Sequence, residues 1–174
     1  MENPKVKIAT NKGDMIVELY EDKVPNTVAN IISLAESGYY SDMAFHRILK
    51  GFMAQGGCPN TKPDGSGMPG TGGPGYTIAE EFHPSLRHNE RGILSMAKTS
   101  MPNSTGSQFF ILFKDADFLD DGYSVFGKVI EGLEVIDALE SAGQQRDGLP
   151  PTEEIRFSIE VVSRNDHDYT VEKA

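Results

Sequence analysis

The stretch Phe45-His46-Arg47-Ile48-Leu49-Lys50-Gly51-Phe52-Met53-Ala54-Gln55-Gly56-Gly57 is apolar and aromatic, yet it carries a guanidinium and a carboxamide. A second stretch, Gly106-Ser107-Gln108-Phe109-Phe110-Ile111, has the same mixed character. A core strand does not normally hold an Arg and two Gln, because unpaired buried polar groups cost free energy. An apolar surface with a few placed donors is how a small binding pocket is built. The two-residue period of a strand sorts the side chains further. Gln108 and Phe110 face one way, and Phe109 and Ile111 face the other. Phe45, Arg47 and Leu49 share a face, and so do Met53 and Gln55. Phe52 then points away from Met53, unless a bulge or turn just after Gly51 redirects it.

Working outward, Val6 and Ile8, then Met15, Val17 and Leu19, alternate with polar residues on either side of Asn11-Lys12-Gly13-Asp14, a hairpin signal. Pro25 opens a helical pattern with Val28, Ile31, Ile32 and Ala35 on one stripe, and Gly38 is placed to stop it. Further strands are expected at Phe45 to Leu49, Phe52 to Gln55, Ile93 to Ala97, Gln108 to Phe113, Val125 to Ile130 and Ile155 to Val162. Leu133, Ile136 and Leu139 mark a second helix that ends near Gly143. The Gly- and Pro-rich segment 56–75 is too long for a plain connector and reads as a functional or mobile loop. The polar tail 164–174 is expected to fray. Many short strands with two helices indicate a mainly β fold, a sandwich or a closed barrel, and pattern alone does not choose between them.

A chain of 174 residues holds one domain with a sizeable core, taken as 1–174 without a linker or repeat. The formal net charge of -10 argues against a nucleic-acid footprint, which needs clustered Lys and Arg. A single cysteine, Cys58, rules out an intrachain disulfide and fits a reducing compartment. No secretory leader is visible at the N-terminus, and no stretch approaches the ~20 apolar residues of a membrane span. A cytoplasmic monomer that uses neither membrane nor nucleic acid is expected.

Together the two opening segments resemble the signature of a cyclophilin, a peptidyl-prolyl cis/trans isomerase. The resemblance runs from about Lys5 to Val162, and it is closest to single-domain bacterial members. It implies a closed eight-stranded antiparallel barrel with a helix over each open end and a site on the outer wall. It places Arg47 as the catalytic residue and Phe52, Met53, Gln55, Ala97, Gln108, Phe110 and Leu119 in the substrate groove. Gly70-Thr71-Gly72-Gly73 matches a loop bordering that groove. Three further groove positions depart from the archetypes: Lys98 stands for Asn, Phe118 for Trp and Tyr123 for His. The departures bear on peptide preference and weaken the expected binding of cyclosporin more than they touch catalysis. No cofactor and no metal is implied. The expected partners are proline-containing peptides and unfolded or partly folded chains.

The chemistry suits an Arg. Rotation about an X-Pro bond breaks no covalent bond and needs neither nucleophile nor base. In the twisted state the prolyl nitrogen loses conjugation and gains a lone pair that accepts a hydrogen bond. A guanidinium beside it stabilises the twisted state over the planar ones, which is the requirement for catalysis. Two other readings compete. A proline-binding module or holdase on the same fold could dispense with Arg47. An unrelated barrel binding a small ligand leaves Arg47 and Gln108 unexplained.

Other motifs read as structure. Gly65-Ser66-Gly67-Met68-Pro69-Gly70 matches a dinucleotide fingerprint, but Pro69 and Pro74 forbid the helix that the motif must open. Asn103-Ser104-Thr105 reads as a turn. His46, His83, His88 and His167 show no metal-ligand spacing. His46 alternates against Arg47 and reads as a structural strand residue. Cys58, after two glycines in a loop, reads as exposed and incidental.

Overall fold

The computed structural model describes residues 2–174. Nine strands form one sheet: β1 Lys5–Thr10, β2 Gly13–Leu19, β3 Met43–Ala44, β4 Arg47–Leu49, β5 Met53–Gly56, β6 Ile93–Met96, β7 Phe109–Leu112, β8 Val125–Glu131 and β9 Arg156–Ser163. Every neighbouring pair is antiparallel, in the order β3-β9-β1-β2-β8-β6-β7-β5-β4. The two ends of that order are consecutive in the chain. β3 pairs with β9, and three residues beyond Ala44 the same stretch, now β4, pairs with β5. The segment Met43–Leu49 therefore closes the sheet on itself. Counted as one interrupted strand, it makes the barrel eight-stranded.

The interruption corrects one expectation. Phe45 and Arg47 do not share a face. Phe45 is buried inside the barrel, 4.5 Å from Phe157 between ring centroids, while Arg47 lies outside. The pleat is broken at Phe45-His46, where the chain leaves β9 and crosses to β5. Elsewhere alternation holds. Phe109 and Ile111 belong to the main core, and Phe110 and Leu112 belong to a smaller apolar cluster outside it.

Two helices complete the main core, α1 (Pro25–Glu36) and α2 (Leu133–Ser141). Val28, Ile31 and Ile32 of α1 and Val135, Ile136 and Leu139 of α2 are buried in it. α2 packs where β1 turns into β2, so that a side chain at Gly13 would touch Val135. α1 starts just beyond the other end of β2, so the helices cover opposite ends of the barrel. The first turn of α1 lacks a cap of its own; the Glu81 carboxylate accepts from the Asn26 amide at 3.2 Å and from Thr27. An anion at a helix N-terminus satisfies orphan amides and complements the dipole. No helix among the described residues is long and apolar enough to cross a membrane.

The tail is not frayed. The Glu21 carboxylate, 8% exposed, takes its side-chain partners from the tail: Tyr169, His167 at 2.9 Å and Asn165 at 3.2 Å. A buried carboxylate requires such partners. Beyond them Asn26 and Glu172 exchange two hydrogen bonds of 2.8 Å, and the Ala174 amide donates to the Thr77 carbonyl at 2.8 Å.

Candidate active site

The site lies on the outer face of β4, β5, β7 and β6. Cross-strand register aligns Arg47 with Gln55, Gln55 with Phe110 and Phe110 with Ser95. Directly opposed residues on neighbouring strands project to the same side. That register places a guanidinium, a carboxamide and a phenyl ring in one row. Phe52 sits in a turn, with its amide donating to the Leu49 carbonyl at 3.1 Å and Gly51 at φ +75°. A glycine adopts that conformation without steric cost. Because Phe52 precedes β5, strand alternation does not govern it, and it packs beside Met53 on the outer cluster.

The result is a groove of about 510 Å³. Arg47, Phe52, Met53, Gln55, Gly70, Ala97, Lys98, Phe110, Phe118, Leu119 and Tyr123 all line it. A second cavity of about 420 Å³ adjoins it and is lined by Thr71, Gly72, Gly73 and Gln108, with Gln55, Gly70, Ala97 and Lys98 shared between the two. The floor of the main groove is made of buried apolar side chains: Met53 is 1% exposed, Phe110 5% and Leu119 9%. Phe118 differs from the floor residues. It is 74% exposed and forms the rim, tilted against Phe52 with 5.8 Å between ring centroids. Also lining the groove, the Lys98 ammonium sits 5.3 Å from the centre of the Tyr123 ring, and Tyr123 meets Phe110 edge to face.

A polar chain runs along the wall. Arg47 Nη1 donates to Gln55 Oε1 at 2.9 Å, and Gln55 Nε2 donates to Gln108 Oε1 at 3.0 Å. Gln108 Nε2 then donates to the carbonyls of Gly70 and Gly72, both at 2.9 Å. Gln108 therefore spends its amide on the groove-bordering loop. At the other end Arg47 Nε and Nη2 donate to the two carboxylate oxygens of Asp147, at 3.0 and 2.8 Å. Asp147 was not among the residues singled out from sequence. Its Arg47 partner holds its carboxyl below the usual carboxylate range.

Two residues near the groove, Cys58 and His46, read differently from expectation. Cys58 is fully buried, and its Sγ accepts from the amides of Gly70 and Gly72 at 3.3 and 3.4 Å. It pins the same loop from beneath, so it is not an exposed thiol. His46 lines the groove beside Arg47, with Nδ1 buried and unpartnered. Burial, then the Arg47 charge, pushes its pKa down to about 4, which keeps the ring neutral at pH 7. Behind Phe110, Asp120, His88 and Ser95 line up through contacts of 2.8 and 2.9 Å. That is the order of an orienter, a base and a nucleophile, but Ser95 and His88 are both 0% exposed. No substrate carbonyl reaches Ser95, and the line supports the Phe110 ring stacked on His88. Among the described residues no group of three His, Cys, Asp or Glu side chains converges as a metal site would.

The sequence and the fold have known counterparts. Residues 5–161 match the model of the cyclophilin type peptidyl-prolyl cis-trans isomerase family. The chain belongs to that family. A peptidyl-prolyl cis-trans isomerase of Arabidopsis thaliana is 43% identical over 160 residues, covering 92% of this chain and 96% of the relative. Peptidyl-prolyl cis-trans isomerase-like 3 of Homo sapiens is 43% identical over 135 residues, 78% of this chain and 81% of the relative. Among solved structures, the Cryptosporidium parvum cyclophilin type isomerase crystallised in the presence of the dipeptide Ala-Pro superposes with a TM-score of 0.82. It is 38% identical and covers 92% of this chain and 99% of its own. The cyclophilin relatives are isomerases by name, and this chain is an enzyme of the isomerase class.

Proposed function

We propose that the groove binds exposed X-Pro segments of peptides and unfolded or partly folded chains, and that Arg47 catalyses rotation about the X-Pro bond. The observation that carries this is the Arg47 guanidinium held beside a cup of apolar side chains whose floor is buried. Phe52, Met53, Phe110 and Leu119 receive the pyrrolidine ring, and Arg47 sits beside it with N–H groups left over. The uncatalysed barrier is ~18–20 kcal/mol, set by amide resonance. Pyramidalisation at the prolyl nitrogen creates an acceptor that the planar ground states lack. A donor preorganised for it in a water-poor site lowers the barrier by about 3–4 kcal/mol. Clamping the proline side while the preceding residue rotates supplies a further part, through orientation. The rim residues Lys98, Phe118 and Tyr123, with the loop Gly70 to Gly73, then meet residues flanking the proline.

The test is exchange NMR on an Ala-Pro peptide with catalytic amounts of protein. Cis/trans exchange accelerated at sub-stoichiometric enzyme is the expected result. Peptide binding without acceleration would instead make the chain a proline-binding module on the same fold.

A further inference from the structure

Asp147 lies in a polar loop after α2, 100 residues along the chain from the arginine it grips. The loop is built onto the strand that carries Arg47. The Gln144 amide donates to the Ile48 carbonyl at 2.9 Å, and the Lys50 amide donates back to the Gln144 carbonyl at 3.0 Å. These bonds flank Leu49 on β4, two residues from Arg47. The chain then turns at Gly148, φ +91°, whose amide donates to Asp147 Oδ1 at 2.9 Å. Gln144 Nε2 closes the loop on the Pro150 carbonyl at 2.7 Å. The carboxylate is thus fixed against its own backbone before it meets the guanidinium.

A guanidinium has five N–H donors. Asp147 takes two of them, on Nε and Nη2, and Gln55 takes one on Nη1. One N–H on Nη1 and one on Nη2 remain. The side chains of Arg47 and Asp147 are 37% and 56% exposed, and a single pair so exposed contributes little to stability. What the fork-to-fork geometry does contribute is direction, because it holds a long, rotamer-rich side chain in one orientation.

We propose that Asp147 is the positioning residue for the isomerase reaction: it clamps the Arg47 guanidinium so that its two remaining N–H groups face the groove. This rests on the reading of Arg47 as the group that meets the prolyl nitrogen. Asp147 touches no substrate and acts through Arg47. Without it Arg47 keeps only the Gln55 bond and spreads over several rotamers, so fewer molecules are competent at any moment. Peptide affinity, set by the apolar cup, stays the same.

The experiment compares wild type, Asp147→Ala, Asp147→Asn, Asp147→Glu, Arg47→Ala and the Arg47→Ala/Asp147→Ala double variant by exchange NMR on an Ala-Pro peptide. Asn keeps Oδ1 for the Gly148 amide and for Arg47 Nε–H but turns an amide donor toward Arg47 Nη2, so it leaves the loop and breaks one arm of the clamp. Asp147→Ala and Asp147→Asn are expected to lower turnover about three- to tenfold at unchanged peptide affinity, with Asp147→Glu recovering part of it. In the Arg47→Ala background, Asp147→Ala is expected to have no further effect. The Arg47 Nε–H resonance is expected to exchange slowly with solvent in wild type and fast in Asp147→Ala, which removes its acceptor Oδ1. A wild type that does not accelerate exchange sinks the functional reading beneath the proposal. An active wild type and impaired Arg47→Ala, with Asp147→Ala at full turnover and an unmoved Nε–H resonance, overturns the proposal alone. Equal losses from Asp147→Ala in both backgrounds also overturn it, because Asp147 would then act independently of Arg47.

Discussion

Replacing His46 with Gln should flatten the acid side of the stability profile. His46 is largely buried against Arg47 with Nδ1 unpartnered, and its pKa falls from 6.5 to about 4 in the folded state. An unfolded chain takes up the proton near pH 6.5, while the folded one refuses it until about pH 4. Between those values the unfolded state binds more protons, so stability falls as pH falls. The slope reaches about 1.4 kcal/mol per pH unit for one histidine, which accumulates to about 3 kcal/mol across the window. That is a large share of the ~5–15 kcal/mol typical of a domain. His88 is also shifted down, by burial against the opposing pull of Asp120, and adds loss of the same sign. Carboxylates with lowered values, Asp120 and Asp147 among them, add their loss nearer the acid end. These contributions persist in His46→Gln, so the difference between the two proteins isolates His46. Urea unfolding of both, at intervals from pH 7.5 to 4, reads that difference. Parallel curves for wild type and His46→Gln would mean that the ring takes up its proton equally in both states, contrary to its burial beside Arg47.

Phe118→Trp should tighten cyclosporin by about three- to tenfold in calorimetric titration, since Trp adds an indole donor at the exposed rim worth ~0.5–1.5 kcal/mol. Peptide turnover should hardly change, because Phe118 is 74% exposed and stands outside the cup floor; unchanged drug affinity would remove Phe118 from the drug-facing position. Cys58 should resist a thiol reagent in the native protein and react at the rate of unfolding, as a fully buried Sγ requires, and prompt native labelling would contradict that burial. Isomerase activity should be nearly flat from about pH 6 to 8.5. Arg does not titrate there, the Asp147 carboxylate is held ionised, and His46 is neutral throughout; a bell-shaped kcat/KM profile would require a proton-transferring group.

The groove was legible because its residues break the logic of their own strands. Arg47, Gln55 and Gln108 are polar side chains in runs that otherwise read as core, and period two alone separates Phe110 from Phe109. What stayed hidden depends on contacts distant in sequence. Sandwich and barrel share a pattern, and the choice falls to Met43–Leu49, which pairs with β9 at one end and β5 at the other. That crossing also breaks the alternation between Phe45 and Arg47. Asp147 resembled any solvated carboxylate in a glycine-containing turn until the fold laid Gln144 along β4. The tail looked free because its anchor, the buried Glu21, lies 146 residues from His167. Cys58 sits in a glycine-rich loop whose polarity suggests exposure, yet that loop folds back over it and donates two amides to its sulfur.

In the proposed mechanism one preorganised guanidinium lowers the barrier to X-Pro rotation. The most direct measurement of this is the exchange rate of an Ala-Pro peptide with Arg47→Ala, in protein shown by its spectrum to be folded. Loss of one preorganised donor predicts turnover lowered by roughly 10²-fold or more, with peptide affinity little changed. Turnover near that of wild type in the folded variant would contradict the mechanism.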